Sequence, residues 1–572
     1  MRFLRMFTNS LLAGALGAAY LTVLVLQLNP HVPVFSTTSW HWFVTLGLLY
    51  GVHMAVTFYL VMVAREFFAL DGLSPGWASV RVLAWLAAIA AAVAATLMWV
   101  NVDGFRASLT EAAALRMTRG AIATTGSAIV LVGIAIAHYS FGRRGSRTAA
   151  AVFVLVTIAS VALPLAARGR AVTPEGAPTS IASDANRPTE AGPRVVMLLF
   201  DGASLDYVWP RVAEGRLPNF ARLLEKGAWM DLATVRPTQP HPVWTSVATG
   251  MYPSHSGVRS SAAYYARGDD RPLDLLPDHC FSHVLVHLGF VRDEASTAAA
   301  WRARPIWGIL ADAGMRVGVV RWSLTYPAPE VPGFVVSDRF HAVAGSIAAF
   351  ERGAYPPDVL ARVQEAFSSV PSPDERNSDV ERTAMSRDQG YSRAMRELRA
   401  TMDPRFVALR YEGLDTVAHY YLRYAQPSRA RRSVSEADRT RYGQAVDRYY
   451  AYLDAEIGEA LDGLRPGDLL AVVSGFGMEP LNPLKEAVGR LMGDPDFSGT
   501  HERAPDGFML IAGDSVEPGR RQRGSIVDVT PTLLYFLGLP IARDMDGFAR
   551  ADLFTKSFSA ERPIAFIPTY RR

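Results

Sequence analysis

The chain has 572 residues, half of them hydrophobic, with a net charge of +4 and a mean hydropathy of +0.11. So small a charge on so long a chain leaves no electrostatic footprint for a nucleic acid, and no nucleic-acid binding is expected. The single cysteine, Cys280, excludes an intrachain disulfide and a cysteine-based zinc cluster, and reads as a small core residue.

The apolar residues gather at the N-terminus. Five segments, about 8–28, 40–64, 82–101, 120–141 and 148–167, reach the roughly 20 residues a helix needs to cross a bilayer. They predict an all-α membrane domain over 1–167. Arg2 and Arg5 before the first run would also suit a signal peptide, but four further spans favour an anchored domain. Loop charges set the orientation. Arg2, Arg5, Arg65, Arg81, Arg143, Arg144 and Arg147 fall on one side. On the other, 29–39 carries no Lys or Arg, and in 102–118 Arg106 and Arg116 are balanced by Asp103 and Glu111. The N-terminus is therefore expected in the cytoplasm of a bacterial-type inner membrane, and the chain after the fifth span in the periplasm or outside. Membrane lipids are expected partners. His41, His53 and His138, in or beside spans, read as neutral interfacial histidines.

Residues 168–192 are rich in Pro, Ala, Gly, Ser and Thr without periodicity, and predict a flexible linker. Beyond it, short apolar runs recur: "RVVMLLFDGAS", "MRVGVVRW" (315–322), "RFVALRYEG" (405–413), "DLLAVVSG" (468–475) and "GFMLIAG" (507–513). Helical patterns separate them, notably over 436–462. This predicts an α/β domain over 193–572 with a mostly parallel sheet between helices. Such sheets bind ligands at the carboxyl ends of their strands, where Asp201, Glu412, Asp415 and the turn at 475–477 fall. The polar stretch 340–400 interrupts the pattern and reads as an insertion or cap. The charge cluster 429–441 reads as a solvated approach to a helix.

Four pieces carry candidate chemistry. Asp201 ends a buried strand, as a metal ligand or as a helix cap. In "PTQPHPVWTSVATGMYPSHSG" (237–257) the prolines predict a loop, with Thr245 and Ser246 opening a helix whose free N–H groups would face an anion. In "YEGLDTVAHYY" (411–421) Asp415 and His419 stand four apart, on one helix face, and could share a divalent ion. In "SGTHERAPDGFMLIAG" (498–513) His501 precedes a strand.

Together these pieces, with "GRLPNFARLLEKGAW" and "SIVDVTPTLLYFLGLPIARDMDG", resemble the type I phosphodiesterase and nucleotide pyrophosphatase family of the alkaline phosphatase superfamily, over about 193–550. The resemblance implies a two-metal site acting on phosphodiesters, with zinc as the expected divalent metal. Asp415, His419 and His501 match the ligands of one ion. Asp201 and the nucleophile Thr245 match part of the second set, where the hydroxyl would attack phosphorus and water or an alcohol would then resolve a phospho-threonine.

One departure is plain. "SGFGMEP" stands where the family has "SDHGMEP", so Gly475 and Phe476 replace an Asp–His pair. The family's phosphate-contacting Asn also lacks a counterpart, with Arg259 or Ser260 as stand-ins. Three readings follow: a one-metal enzyme with His241 or another base activating Thr245; a replacement ligand among His241, Glu479, His255 and His279, His283 or His287; or a weakened pseudoenzyme serving as a membrane sensor or binding module. Five spans before an outward domain of this superfamily are also similar in layout to lipid A phosphoethanolamine transferases and lipoteichoic acid synthases. That layout implies a lipid-linked or envelope phosphodiester substrate.

Overall fold

A computed structural model describes residues 2–67, 80–140, 147–170, 192–277, 282–342, 347–370, 380–426, 434–493 and 497–570. Cys280, His279, most of the 168–192 linker, and parts of 340–400 and 429–441 lie outside the described residues, as do the side chains of His138 and His283. The chain divides into two compact units, Met1–Gly176 with Ala262–Ala295, and Ala177–Ser261 with Ser296–Arg572.

The first unit is built from α1 (Arg2–Leu28), α2 (Thr37–Leu46), α3 (Val52–Phe67), α4 (Val80–Gly104), α5 (Glu111–Ser140) and α6 (Arg147–Arg168). A π turn at Gly47–Gly51 joins α2 to α3. Five stretches are long and apolar enough to cross a membrane: Met6–Leu28, Thr37–Ala64, Leu83–Gly104, Glu111–Ala137 and Ala150–Arg168. Small residues let these helices meet. A Cβ on Gly14 would lie 2.2 Å from the Gly51 carbonyl oxygen, so the two backbones touch there.

The later segment of this unit is an antiparallel hairpin, Ala262–Ala266 with Val291–Ala295. Its Tyr264, Leu273, Leu276 and Leu285 pack with Val25, Leu26, Trp42 and Leu46. Buried Asn29 fixes the register. Its Oδ1 accepts from Asp274 N and Leu275 N at 3.0 Å, and its Nδ2 donates to Leu275 O at 2.8 Å. His41 serves this packing too, with Nδ1 3.7 Å from Asp269, while the His53 ring bonds to the Leu49 carbonyl one turn back.

The second unit centres on a ten-stranded, mostly parallel sheet. Its strands are β1 (Val195–Phe200), β2 (Ala228–Ala233), β3 (Val317–Val320), β4 (Gly333–Val336), β5 (Ala354–Tyr355), β6 (Phe406–Tyr411), β7 (Leu469–Phe476), β8 (Asp506–Ala512), β9 (Gly519–Arg520) and β10 (Gly524–Ser525). The order is β9-β2-β8-β7-β1-β6-β3-β4-β5, with β10 also on β2. Strand β8 runs antiparallel to β2 and β7. The continuous apolar runs of β1, β6 and β7 are buried throughout, as expected of central parallel strands.

Helices α7 (Leu205–Ala213), α8 (Pro218–Lys226), α9 (Pro240–Thr249), α10 (Val380–Met402), α11 (Gly413–Ala425), α12 (Ala445–Asp462) and α13 (Val529–Phe536) surround the sheet. Phe200, Phe220, Tyr391, Leu398, Leu453 and Ile457 belong to one core. Helix α10, which begins inside the polar stretch 340–400 and ends just beyond it, thus supplies core residues.

Candidate metal centre and its closed neighbour

The centre is built at the carboxyl end of β6. Asp415 lies in the first turn of α11, and His419 follows one turn later. His501 comes from the loop before β8. One ligand atom from each of the three lies within 4.8 Å of the others. His419 Nδ1 donates to the Gly499 carbonyl at 2.8 Å, and His501 Nδ1 to the Thr238 carbonyl at 2.9 Å. A carbonyl can only accept, so both imidazoles carry their proton on Nδ1 and present Nε2. His419 Nε2 stands 3.4 Å from Asp415 Oδ2, while Asp415 Oδ1 is buried without a hydrogen-bond partner. Burial works to raise Asp415, but the His419 and His501 imidazoles outweigh it and hold the carboxylate below its usual range. Two imidazole nitrogens and an orphaned carboxylate oxygen suit a divalent ion such as zinc, with a coordination position left for a ligand.

The neighbouring position is different. Asp201 follows β1, its N–H bonded to Tyr411 O at 3.0 Å. Its carboxylate is fully buried and fully engaged. Trp244 Nε1 donates to Oδ1 at 2.6 Å, and Arg410 Nε to both oxygens at 3.0 and 3.2 Å. Arg410 Nη2 completes a two-pronged contact with Oδ2. Burial lifts Asp201 to about 7, with Arg410 opposing. Burial would likewise lower Arg410, but the carboxylates of Asp201 and Glu412 hold it charged. A guanidinium therefore sits where a second cation would neutralise Asp201.

The rest of that position is filled by side chains. A Cβ on Gly475 would come 2.3 Å from Val243 Cγ1 and 3.7 Å from the Trp244 ring, so no carboxylate fits there. Phe476 is fully buried, its ring 5.0 Å from that of His501. The expected turn is instead strand: β7 runs on through Gly475 and Phe476, with Phe476 paired to Asp506. Its end is tied down, as Ser474 Oγ donates to Ala203 O at 2.8 Å and Gly477 N to Pro505 O at 3.0 Å.

Thr245 requires a correction at the level of its helix. Helix α9 starts at Pro240, with Gln239 as its N-cap, and does not start at Thr245. Proline suits the first helical position because its missing N–H is not needed there and its φ is already helical. Thr245 thus lies in the second turn, fully buried, with no partner for Oγ1. His241, in the first turn, likewise has Nδ1 buried without a partner. Burial first, then the charge of Arg410, pushes it down to about 4, so it is neutral at neutral pH.

Glu479, His255 and Ser260 are engaged elsewhere, and His287 is exposed in the first unit. Glu479 accepts from Arg503 N at 3.1 Å, which holds the His501 loop. His255 Nδ1 pairs with Asp546 at 2.9 Å on the surface. Arg259 is half-buried beside Ser260, whose hydroxyl donates to the N-cap side chain of Gln239 at 3.2 Å.

Sequence reading missed Arg410, Trp244 and a second buried arginine, Arg321. Arg321 pairs with Asp388, lies 3.3 Å from Glu412, and adopts φ 56° at the end of β3. Burial works to raise Glu412, but Arg410 and Arg321 hold it below the usual carboxylate range. The available signal was a lone arginine inside the apolar run "FVALRY", because an unpaired charge is not tolerated in a central strand.

The human ectonucleotide pyrophosphatase / phosphodiesterase 5 is structurally similar, with TM-score 0.38 and 14% identity over 64% of this chain and 100% of that one. The murine protein gives TM-score 0.37 and 11% identity over 63% and 100%. An inactive murine variant in complex with AMP gives 0.38 and 12% over 64% and 100%. No curated protein matches the chain. Residues 195–510 match the model of the family described as type I phosphodiesterase / nucleotide pyrophosphatase. That match spans more than half of the chain and includes Asp201, Asp415, His419 and His501. The chain belongs to the type I phosphodiesterase / nucleotide pyrophosphatase family.

Proposed function

We propose that the second unit binds a phosphate ester at one divalent ion, held by Asp415, His419 and His501, and that Arg410 takes the place of the second ion of a two-metal site. The observation that carries this reading is the buried contact of Arg410 and Trp244 with Asp201. Zinc, when bound, supplies a Lewis-acid anchor for a phosphoryl oxygen. The chain's own groups do the rest. The carbonyls of Gly499 and Thr238 orient the two imidazoles. Val243, Trp244 and Phe476 keep water and a second ion out of the adjoining position. Attached to five spans of a bacterial-type inner membrane, with the second unit on the periplasmic or outer side, such a site suits a lipid-linked or envelope phosphodiester.

A hydrolytic second reading has one observation in its favour. Thr245 Oγ1 and His241 Nδ1 are both buried without partners one helical turn apart. A rearranged α9 would give Thr245 a neutral base. Metal analysis of the full chain in detergent, with turnover of an aryl phosphodiester, separates the two. The one-ion binding reading expects about one zinc per chain and no turnover that depends on Thr245. Turnover lost in Thr245→Ala at one zinc per chain would establish the hydrolytic reading instead, and two zinc ions per chain would overturn the replacement of the second ion by Arg410.

A further inference from the structure

The helices of the first unit enclose a cavity of about 560 Å³. Leu16, Tyr20 and Leu24 of α1 form one side, Met54 and Phe58 of α3 another, and α4 and α6 supply residues such as Ala90 and Phe153. Few polar groups line it, and two of the hydroxyls are already used. Tyr20 OH pairs with Ser160 Oγ at 2.5 Å, and Thr157 Oγ1 donates to Phe153 O at 2.8 Å. Its rim lies on the outward surface: Ile89 is 56%, Val93 52% and Ile158 64% exposed. In a membrane-spanning unit those residues meet hydrocarbon, so the cavity opens sideways into the bilayer.

We infer that this cavity binds one acyl chain of a membrane lipid. The inference rests on the reading of the first unit as membrane-spanning. Along α1 the lining runs from Leu12 to Leu24, about 18 Å at 1.5 Å per residue. That matches a chain occupying one leaflet, whose hydrocarbon is about 15 Å deep. An empty apolar space forfeits its dispersion contacts, and water finds few partners in one so apolar. Hydrocarbon is the filling that the surroundings supply.

The shape of the cavity decides between a lipid chain and a helix from another protein. Its 560 Å³ spread along about 18 Å leaves a cross-section of about 30 Å². That admits a thin hydrocarbon chain, whereas a helix with side chains, about 10 Å across, does not fit. A neighbouring space of about 20 Å³ shares Leu21, Leu24 and Tyr50 with it and extends the apolar lining to Leu276 and Leu285, but is too small for a chain.

The test is native mass spectrometry of the full chain released from mild detergent. The expected result is about one retained lipid per chain. Ala90→Trp and Leu16→Trp fill the cavity from two helices, and each should lower retained lipid at least tenfold. Circular dichroism and melting of both variants report whether the bundle still folds. Folded variants that keep their lipid, or a wild-type chain that carries none, would overturn the inference. So would cross-linking that places a second copy in the cavity. Release of the chain from vesicles by alkaline carbonate would instead sink the membrane-spanning reading on which the inference rests.

Discussion

At the scale of single residues, the two halves of the site differ in what their carboxylates are asked to do. Asp415 has an oxygen with no partner, and Asp201 has none to spare. Replacing Asp415 by Asn or His501 by Ala should therefore abolish zinc retention, a loss of at least a hundredfold in affinity by isothermal titration. Asp201→Asn should leave zinc content unchanged. Arg410→Met should behave differently again. It strands a buried carboxylate, and removing one partner of a buried ion pair costs about 3–5 kcal/mol, read as a fall in chemical-denaturation stability. If the variant gained a second zinc, Arg410 would be standing in for metal even more directly than proposed. A stability unchanged by Arg410→Met would remove the pair from any structural account. The metal ligands were legible because Asp415 and His419 stand four apart on a helix and because motif order tied them to His501. Arg410 was visible as a charge in an apolar strand, but its partner lies on another strand more than two hundred residues away, beyond the reach of local pattern.

At the scale of elements, helix α9 explains both what was legible and what was not. The two prolines near its start read as loop formers, yet Pro240 takes the first helical position and Pro242 the third, where no intrahelical N–H bond is lost. Starting the helix there moves Thr245 from the anion-facing end to a buried second turn. It also presses Val243 against Gly475, so the loss of a carboxylate at 475 and the packing of α9 are one event. Restoring the pair as Gly475→Asp with Phe476→His should therefore give no second metal and a lower melting temperature. Adding Val243→Ala relieves the 2.3 Å approach and should recover part of the loss. Full stability and two zinc ions in the double variant would refute this coupling. The same helix carries an acid liability in His241, which it shares with His341 in the turn Phe340–Ala342. Burial pushes both down to about 4. Unfolded, each binds a proton near 6.5, so the unfolded state takes up more protons between about 6.5 and 4. Stability is full above that window and falls as pH drops through it, by roughly 3 kcal/mol per histidine at most. His241→Asn should flatten that part of a stability profile measured by denaturant titration.

At the scale of the whole molecule, the substrate that the metal centre can meet depends on which side of the membrane each part of the chain lies. The five long apolar helices were the most legible feature, because uninterrupted apolar runs of about 20 residues have few other uses. The assignment of Ala262–Ala295 to the first unit was not legible, since its contacts run from Asn29 to Leu275, far apart in sequence. The charge rule makes a directional prediction. The loops around Arg65, Arg81, Arg143, Arg144 and Arg147 should be cytoplasmic, and residues after Arg168 should not. The chain's one cysteine simplifies the measurement. In a Cys280→Ser background, Ser74→Cys reports the loop between the second and third spans, and Ser557→Cys reports the exposed C-terminal region. A membrane-impermeant thiol reagent applied to intact spheroplasts should label Ser557→Cys at once, and Ser74→Cys only after permeabilisation. The reverse pattern would place the metal centre in the cytoplasm, and with it the phosphate ester it meets. Labelling of both without permeabilisation would mean that the third, fourth and fifth apolar stretches do not all cross.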